Sequence, residues 1–363
     1  MSYIYGIATA NPQISHTQDD FVSFYSNATT EIAAKRKIKL VAHKSGIAKR
    51  HSVIKDFSLP PNDFTFFGQH ADLQPTPMLA ARMAIYQREA IALSVEAVGK
   101  LADFEQLKSK ITHVISVTCT GLFAPGLDIE LIEQLNLSPE TSRSSINFMG
   151  CNAAVLAFKQ AHQICKSEAD ALVLIVCVEL CTLHFQGDFS DDYIVSNLLF
   201  ADGAAATLIG SKPGATRSPY SGLSFQTFRS RIVSEGKKDM AWRLSEQGFL
   251  MNLTSYVSPL LNKHMPELLD ALQIKDTPQT HWAIHPGGKR ILDDLCKNLN
   301  LSQQQLQPSY ETLQNYGNMS SATILFVLKN LIENTKIGAN DKIFVAGFGP
   351  GLNIETAVLV IDN

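Results

Sequence analysis

The strongest constraint on this 363-residue chain is a helix-and-strand unit that occurs twice. In the first half an apolar helical stretch from Cys151 to about Lys166 leads through the short polar turn Ser-Glu-Ala-Asp170 into an apolar strand over 171–178. In the second half a similar stretch from Met319 to about Asn334 leads through a turn into a strand over 342–346. Each helix starts at a small or polar residue and feeds a strand without polar alternation, the pattern of a sheet covered on both faces. Two such units, each preceded in its half by helix-and-strand material, imply a duplicated α/β architecture of buried sheets flanked by helices.

Other segments fit that reading. Apolar periodicity predicts helices over 78–101, 128–135, 256–272 and 289–299. It predicts strands over 4–9, 112–118, 204–209, 222–228, 249–253, 281–284 and 353–361. No low-complexity segment or linker separates the repeats, so the halves, 1–212 and 213–363, are expected to share one interface. Hydrophobic residues make up 45% and charged residues 18%, an ordinary globular balance. A net charge of −3 gives no reason to expect nucleic acid or an anionic membrane as partner. The start, Met1-Ser-Tyr-Ile-Tyr-Gly, lacks the basic and apolar regions of a secretion signal, and no apolar run approaches the roughly 20 residues of a membrane span. A cytoplasmic location is expected. Its reducing conditions make the six cysteines mainly core thiols. Cys177, Cys181 and His184 lack a fourth ligand of suitable type, so no metal is expected.

Cys151 is where the chain first suggests chemistry. It lies in Phe148-Met-Gly-Cys-Asn-Ala-Ala154, after a glycine and at a helix start. Unpaired N–H groups and the helix dipole there favour a thiolate, so a lowered pKa and a nucleophile are expected. A small buried residue between helix and sheet is the competing reading. His285 ends a strand and precedes Pro286-Gly-Gly288, which leaves backbone room for a ligand. Asn318, in Asn315-Tyr-Gly-Asn-Met-Ser-Ser321, either caps the following helix or donates its side-chain N–H to a developing oxyanion. All three lie at glycine-marked strand–helix junctions.

These residues occur within a longer series of motifs. Gly150-Cys151, His285-Pro-Gly-Gly288, Tyr316-Gly-Asn-Met-Ser-Ser-Ala322, Phe200 with Asp202-Gly-Ala-Ala-Ala206, and Gly347-Phe-Gly-Pro-Gly-Leu352 follow in order. The chain thereby resembles the type III polyketide synthases, chalcone-synthase-like members of the thiolase superfamily, and more closely their bacterial type. The resemblance implies a duplicated thiolase-like fold, layered α/β/α/β/α with two mixed sheets. It implies an acyltransferase that needs no cofactor or metal, uses an acyl-CoA starter and malonyl-CoA, and forms a homodimer. Cys151 would carry the acyl group as a thioester, and His285, as imidazolium, would keep it ionised. His285 and Asn318 would hold the thioester oxygens while charge develops, and Phe200 would favour decarboxylation as an apolar wall.

The resemblance also implies a substrate pocket, and there the chain departs from plant members. Trp242 replaces a glycine, Met251 a second gatekeeping phenylalanine, His184 a threonine and Ala124 a methionine; Cys119-Thr120-Gly121 replaces Thr-Ser-Gly. Gly349 and Pro350, in the terminal motif, are implied to bind substrate as well. Ser320 and Glu179 match the ends of a hydrogen-bonded relay that steers cyclisation, with Cys119 in its middle. Lys37 and Lys44 fall near positions that bind CoA phosphates, although a solvated basic face explains them equally. A remodelled cavity follows, ill-suited to a p-coumaroyl starter. Two alternatives stay open: a single-condensation 3-oxoacyl-carrier-protein synthase of the initiating type, and a catalytically silent subunit. The first usually reads His-Gln-Ala-Asn at 285–288, and retention of Cys151, His285 and Asn318 speaks against the second.

Overall fold

The computed structural model describes residues 1–214, 219–254, 256–274, 277, 279–339 and 341–362. Both repeats are present. The helix Ala153–Ser167 feeds the strand Leu172–Leu180, and the helix Thr323–Asn334 feeds the strand Lys342–Gly349. In the second helix Ile324, Leu325, Phe326, Val327 and Leu328 are consecutive and all buried. A helix apolar on every side cannot lie at a surface, so it forms a middle layer. Small Ala153, Ala154, Ala157 and Ala161 let the first helix lie close against strands of both sheets. Together the two helices fill one core between the sheets, while separate cores lie on the outer side of each half. The order of layers is α/β/α/β/α.

The duplication shows in the sheet order. In the first half the strands run Ser142–Asn147, His113–Thr118, Leu172–Leu180, Asp202–Gly210 and Tyr3–Ala10. In the second they run Thr280–Ile284, Lys342–Gly349, Asn353–Ile361 and Leu223–Ile232, the same plan without the first edge strand. In both halves the strand after the central helix pairs parallel on one side and antiparallel on the other. The two mixed sheets are not separate, however. Tyr3 pairs with Ser224, and this one register position joins them into a nine-stranded ladder. The predicted helices and strands are all found within a few residues of their expected ends. The edge strand Ser142–Asn147, the strand Met240–Ser245 and the helices Gln18–Asn27, Asp191–Leu199 and Gln307–Tyr316 are among the elements not predicted. No helix among the described residues is long and apolar enough to cross a membrane.

Candidate active site

Two tight turns at the starts of the middle-layer helices build the site. After Ser142–Asn147 the backbone enters the left-handed region at Phe148 (φ 58°) and Gly150 (φ 80°). It then forms a 3-10 turn, Gly150–Asn152, that presents Cys151. A side chain on Gly150 would come within 2.2 Å of Pro350 Cδ, and one on Gly349 within 2.4 Å of Asn152 Oδ1. The terminal glycine motif therefore seats directly on the cysteine turn, and both positions need glycine for close approach. In the other half a matching 3-10 turn, Ser320–Ala322, precedes Thr323–Asn334, and the two turns pack together. Asn318 just before it is fixed by a bridge to Phe200. Its N–H donates to Leu199 O at 3.0 Å, and its carbonyl accepts from Ala201 N–H at 2.9 Å. His285 closes the group from the end of Thr280–Ile284, its N–H donating to Ala346 O at 2.8 Å.

Cys151, His285, Asn318, Phe200 and Ser320 line one cavity. Cys151 Sγ lies 4.0 Å from Asn318 Oδ1, which accepts the Ser320 N–H at 2.8 Å. That bond fixes the amide and leaves its NH2 end as the donor available to a guest. Both ring nitrogens of His285 are buried without a hydrogen-bond partner among the described residues. Unpaired buried polar groups are costly, and their clustering beside a thiol marks a place prepared for a bound oxygen.

The electrostatics correct one sequence expectation. Burial pushes the Cys151 thiol up to about 12, with Ser320 and Asn318 opposing only in part. Burial likewise pushes His285 down to about 3. Both groups are therefore held neutral, in place of the expected lowered thiol pKa and imidazolium partner. The helix-start effect is real, but desolvation in an apolar cavity outweighs it. A raised thiol pKa means that the thiolate fraction keeps rising with pH through the neutral range. Alkylation of Cys151 by iodoacetamide should accelerate about tenfold per pH unit between 7 and 9. A rate already flat above pH 7 would reveal a pre-formed ion pair and contradict this electrostatic picture.

Glu179 sits behind the cavity, fully buried. Its carboxylate accepts from the Cys119 N–H at 3.0 Å, the Thr120 hydroxyl at 2.8 Å and the Ser321 hydroxyl. Burial raises its pKa against those donors. The expected order Ser320–Cys119–Glu179 is present, with further hydroxyls gathered on its carboxylate end. Ser320 reaches Cys119 Sγ at 3.2 Å, the Cys119 side chain bonds Glu179 in turn, and the Thr118, Thr120 and Ser321 hydroxyls also donate to that carboxylate.

A hairpin of Met240–Ser245 and Gly248–Leu253 forms the outer wall and sets Trp242 opposite Met251. The Trp242 indole N–H donates to Cys119 O at 2.7 Å. His184 is not part of the wall of the Cys151 cavity. It lies behind Trp242, stacked on Phe249 at 4.2 Å. Its Nδ1 accepts the Phe249 N–H at 3.1 Å, so Nε2 carries the proton and donates to Thr120 O at 2.7 Å. These bonds tie the hairpin to the 119–120 turn. His184→Leu leaves two backbone groups unpaired and should cost about 2–4 kcal/mol of stability, read by chemical denaturation. Unchanged stability would show that the bonds hold nothing.

The cavity measures about 30 Å3, room for a water or two but not an acyl chain. Loading must therefore displace wall side chains, and pliable Met251 is suited to that. Ala124 is exposed at the surface and does not shape this cavity. Sequence reasoning missed Leu253, Ile291 and Phe348, which do line it. Lys44 borders a groove that shares a wall with this cavity, whereas Lys37 is paired with Asp191. Cys177, Cys181 and His184 form no ligand set among the described residues.

With this geometry in view, the relatives of the chain are informative. The N-terminal domain of chalcone and stilbene synthases matches residues 1–213, and their C-terminal domain matches residues 224–361. The fold is similar to the C-terminal type III polyketide synthase domain of Steely1, a type I/III hybrid from Dictyostelium. That match has a TM-score of 0.91 at 25% identity and covers 99% of either chain. It is also similar to PKS-I from the brown alga Ectocarpus siliculosus, with a TM-score of 0.89 at 24% identity over 99% of this chain and 98% of that one. Matches to both domains, over nearly the whole sequence, place the chain in the chalcone and stilbene synthase family of type III polyketide synthases, acyltransferases that act on CoA thioesters.

Proposed function

We propose that this synthase holds an acyl starter on Cys151 and extends it repeatedly with malonyl-CoA before cyclisation to a pyrone, resorcinol or phloroglucinol-type product. The observation that carries the reading is the unpaired His285 ring beside Cys151 and the free amide end of Asn318. A thioester oxygen entering there supplies the acceptor that the His285 ring N–H and the Asn318 NH2 lack. Cys151 Sγ attacks the starter carbonyl, its proton passes by way of His285 to the departing CoA thiolate, and the starter becomes a thioester on Cys151. Malonyl-CoA then loses carbon dioxide, and His285 and Asn318 hold the resulting enolate oxygen. The enolate carbon attacks the acyl carbonyl and the Cys151 thiolate leaves, so the lengthened chain can return to the thiol. Phe200, at the junction of cavity and inner wall, disfavours the malonyl carboxylate and so promotes its loss.

Trp242 and Met251 support a bacterial-type member with a starter other than p-coumaroyl, and Ser320, Cys119 and Glu179 bear on cyclisation. A cytoplasmic homodimer completes the reading; light scattering on the purified protein tests its oligomeric state. The central test is a mass spectrum of products from a mixed acyl-CoA panel with malonyl-CoA. Products with three or more extender units are expected. A single unit would favour the initiating 3-oxoacyl synthase, and no turnover would sink both.

A further inference from the structure

The helix Ile32–Lys44 carries a face that chemistry at Cys151 does not use. Ile32, Arg36, Lys39, Leu40, His43 and Lys44 are all exposed and recur at three- and four-residue spacing, so they form one stripe. The helix contains no acidic residue, and among the described residues no carboxylate pairs with Arg36, Lys39 or Lys44. Ile32 is 67% and Leu40 53% exposed, unusual for large aliphatic side chains within a basic surface. At the C-terminal end of the stripe opens a largely apolar groove of about 300 Å3, bordered by Leu40 and Lys44. Leu253, Gly287 and Ile291 line both this groove and the Cys151 cavity, so these residues alone form the wall the two share.

We infer that the stripe docks an acidic acyl carrier protein, whose phosphopantetheine arm enters the groove and delivers an acyl thioester to Cys151. This rests on the function proposed above and names a second donor for the same thiol. CoA needs charge only at the groove mouth, where Lys44 stands. The stripe continues about 18 Å along the helix, further than a nucleotide end requires. Its two exposed aliphatic side chains have no use for phosphates, but a partner helix would bury them between charge pairs. An anionic membrane matches the charge but has no use for a groove that shares a wall with the Cys151 cavity. The transfer is redox-neutral: the carbonyl–sulfur bond to pantetheine breaks, a bond to Cys151 Sγ forms, and the thiol proton passes to the released pantetheine.

The test presents acyl groups from acetyl to dodecanoyl in two forms, on CoA and on an acidic acyl carrier protein of the fatty-acid type. Intact-mass spectrometry reads the adduct on Cys151 of the full chain. Both forms should load the wild type. Ile32→Asp combined with Arg36→Glu, both remote from the cavity, should slow carrier-protein loading by about tenfold or more and leave acyl-CoA loading within about twofold. Loading from CoA but not from the carrier protein overturns the docking inference and leaves the proposed function standing. Loading from neither overturns both. An equal loss in both arms, or none in either, shows that the stripe does not recognise a protein. Sedimentation of the wild type, but not the double variant, with phosphatidylglycerol vesicles would assign the stripe to a membrane instead.

Discussion

Cys151→Ala should lose covalent acyl loading outright, and polyketide formation should fall on the order of 10^4-fold or more, because no other route splits the acyl transfer into two steps. Malonyl-CoA decarboxylation should persist at a measurable rate, since His285 and Asn318 still hold the enolate oxygen. Intact-mass spectrometry after incubation with an acyl-CoA panel reads the first outcome, and carbon dioxide release reads the second. The control is built into the cavity, for Cys119 and Cys181 line it too. An acyl adduct of undiminished yield on either thiol in the Cys151→Ala protein would move the nucleophile. Burial keeps both of those thiols protonated more strongly than usual, as it does Cys151. Position relative to His285 and Asn318, rather than intrinsic acidity, is therefore what should single Cys151 out.

Asn318→Asp should lower decarboxylation by about 10^2- to 10^3-fold, the usual cost of one oxyanion donor. The substitution is isosteric, and its carboxylate can still accept the Ser320 N–H that Asn318 Oδ1 accepts at 2.8 Å. It removes only the NH2 donor and brings negative charge toward the developing enolate. Unchanged cooperative unfolding would show that the turn survives. Decarboxylation within threefold of wild type would show that Asn318 is a structural cap, the other role its sequence position allowed.

That ambiguity illustrates how far the sequence could be read. The middle-layer helices were legible because their apolar residues leave no face for water, and the strands after them because Leu172–Leu180 is buried throughout. The edge strand Ser142–Asn147 was not. Its Ser-Arg-Ser-Ser-Ile-Asn pairs on one side only and alternates outward, so it looks like a loop. Met240–Ser245 was missed for the same reason, as the lesser-buried strand of a two-stranded hairpin. Cys151, His285 and Asn318 could be found from their glycine-marked junctions, because sharp turns leave local signatures. The protonation state at Cys151 could not, since the helix start is local while the desolvation comes from residues far along the chain. His184 shows the same limit. Its partners Thr120 and Phe249 lie 64 and 65 residues away, and only the fold reveals that both ring nitrogens are occupied.

The hairpin that carries Trp242 and Met251 lies outside the nine-stranded ladder, whereas Cys151 and Asn318 rest on the most deeply enclosed layer. Changes to the reactive turns must pass through a core that tolerates little alteration of volume. Changes to the hairpin need only preserve a handful of bonds to its neighbours, from Trp242 to Cys119 O, Phe249 to His184, Gln186 to Gln247 O and Gly351 to Met240 O among them. Selection can thus alter which acyl groups fit while the bond-making apparatus stays as it is. New substrate ranges in this architecture should arise by exchange of that one ribbon.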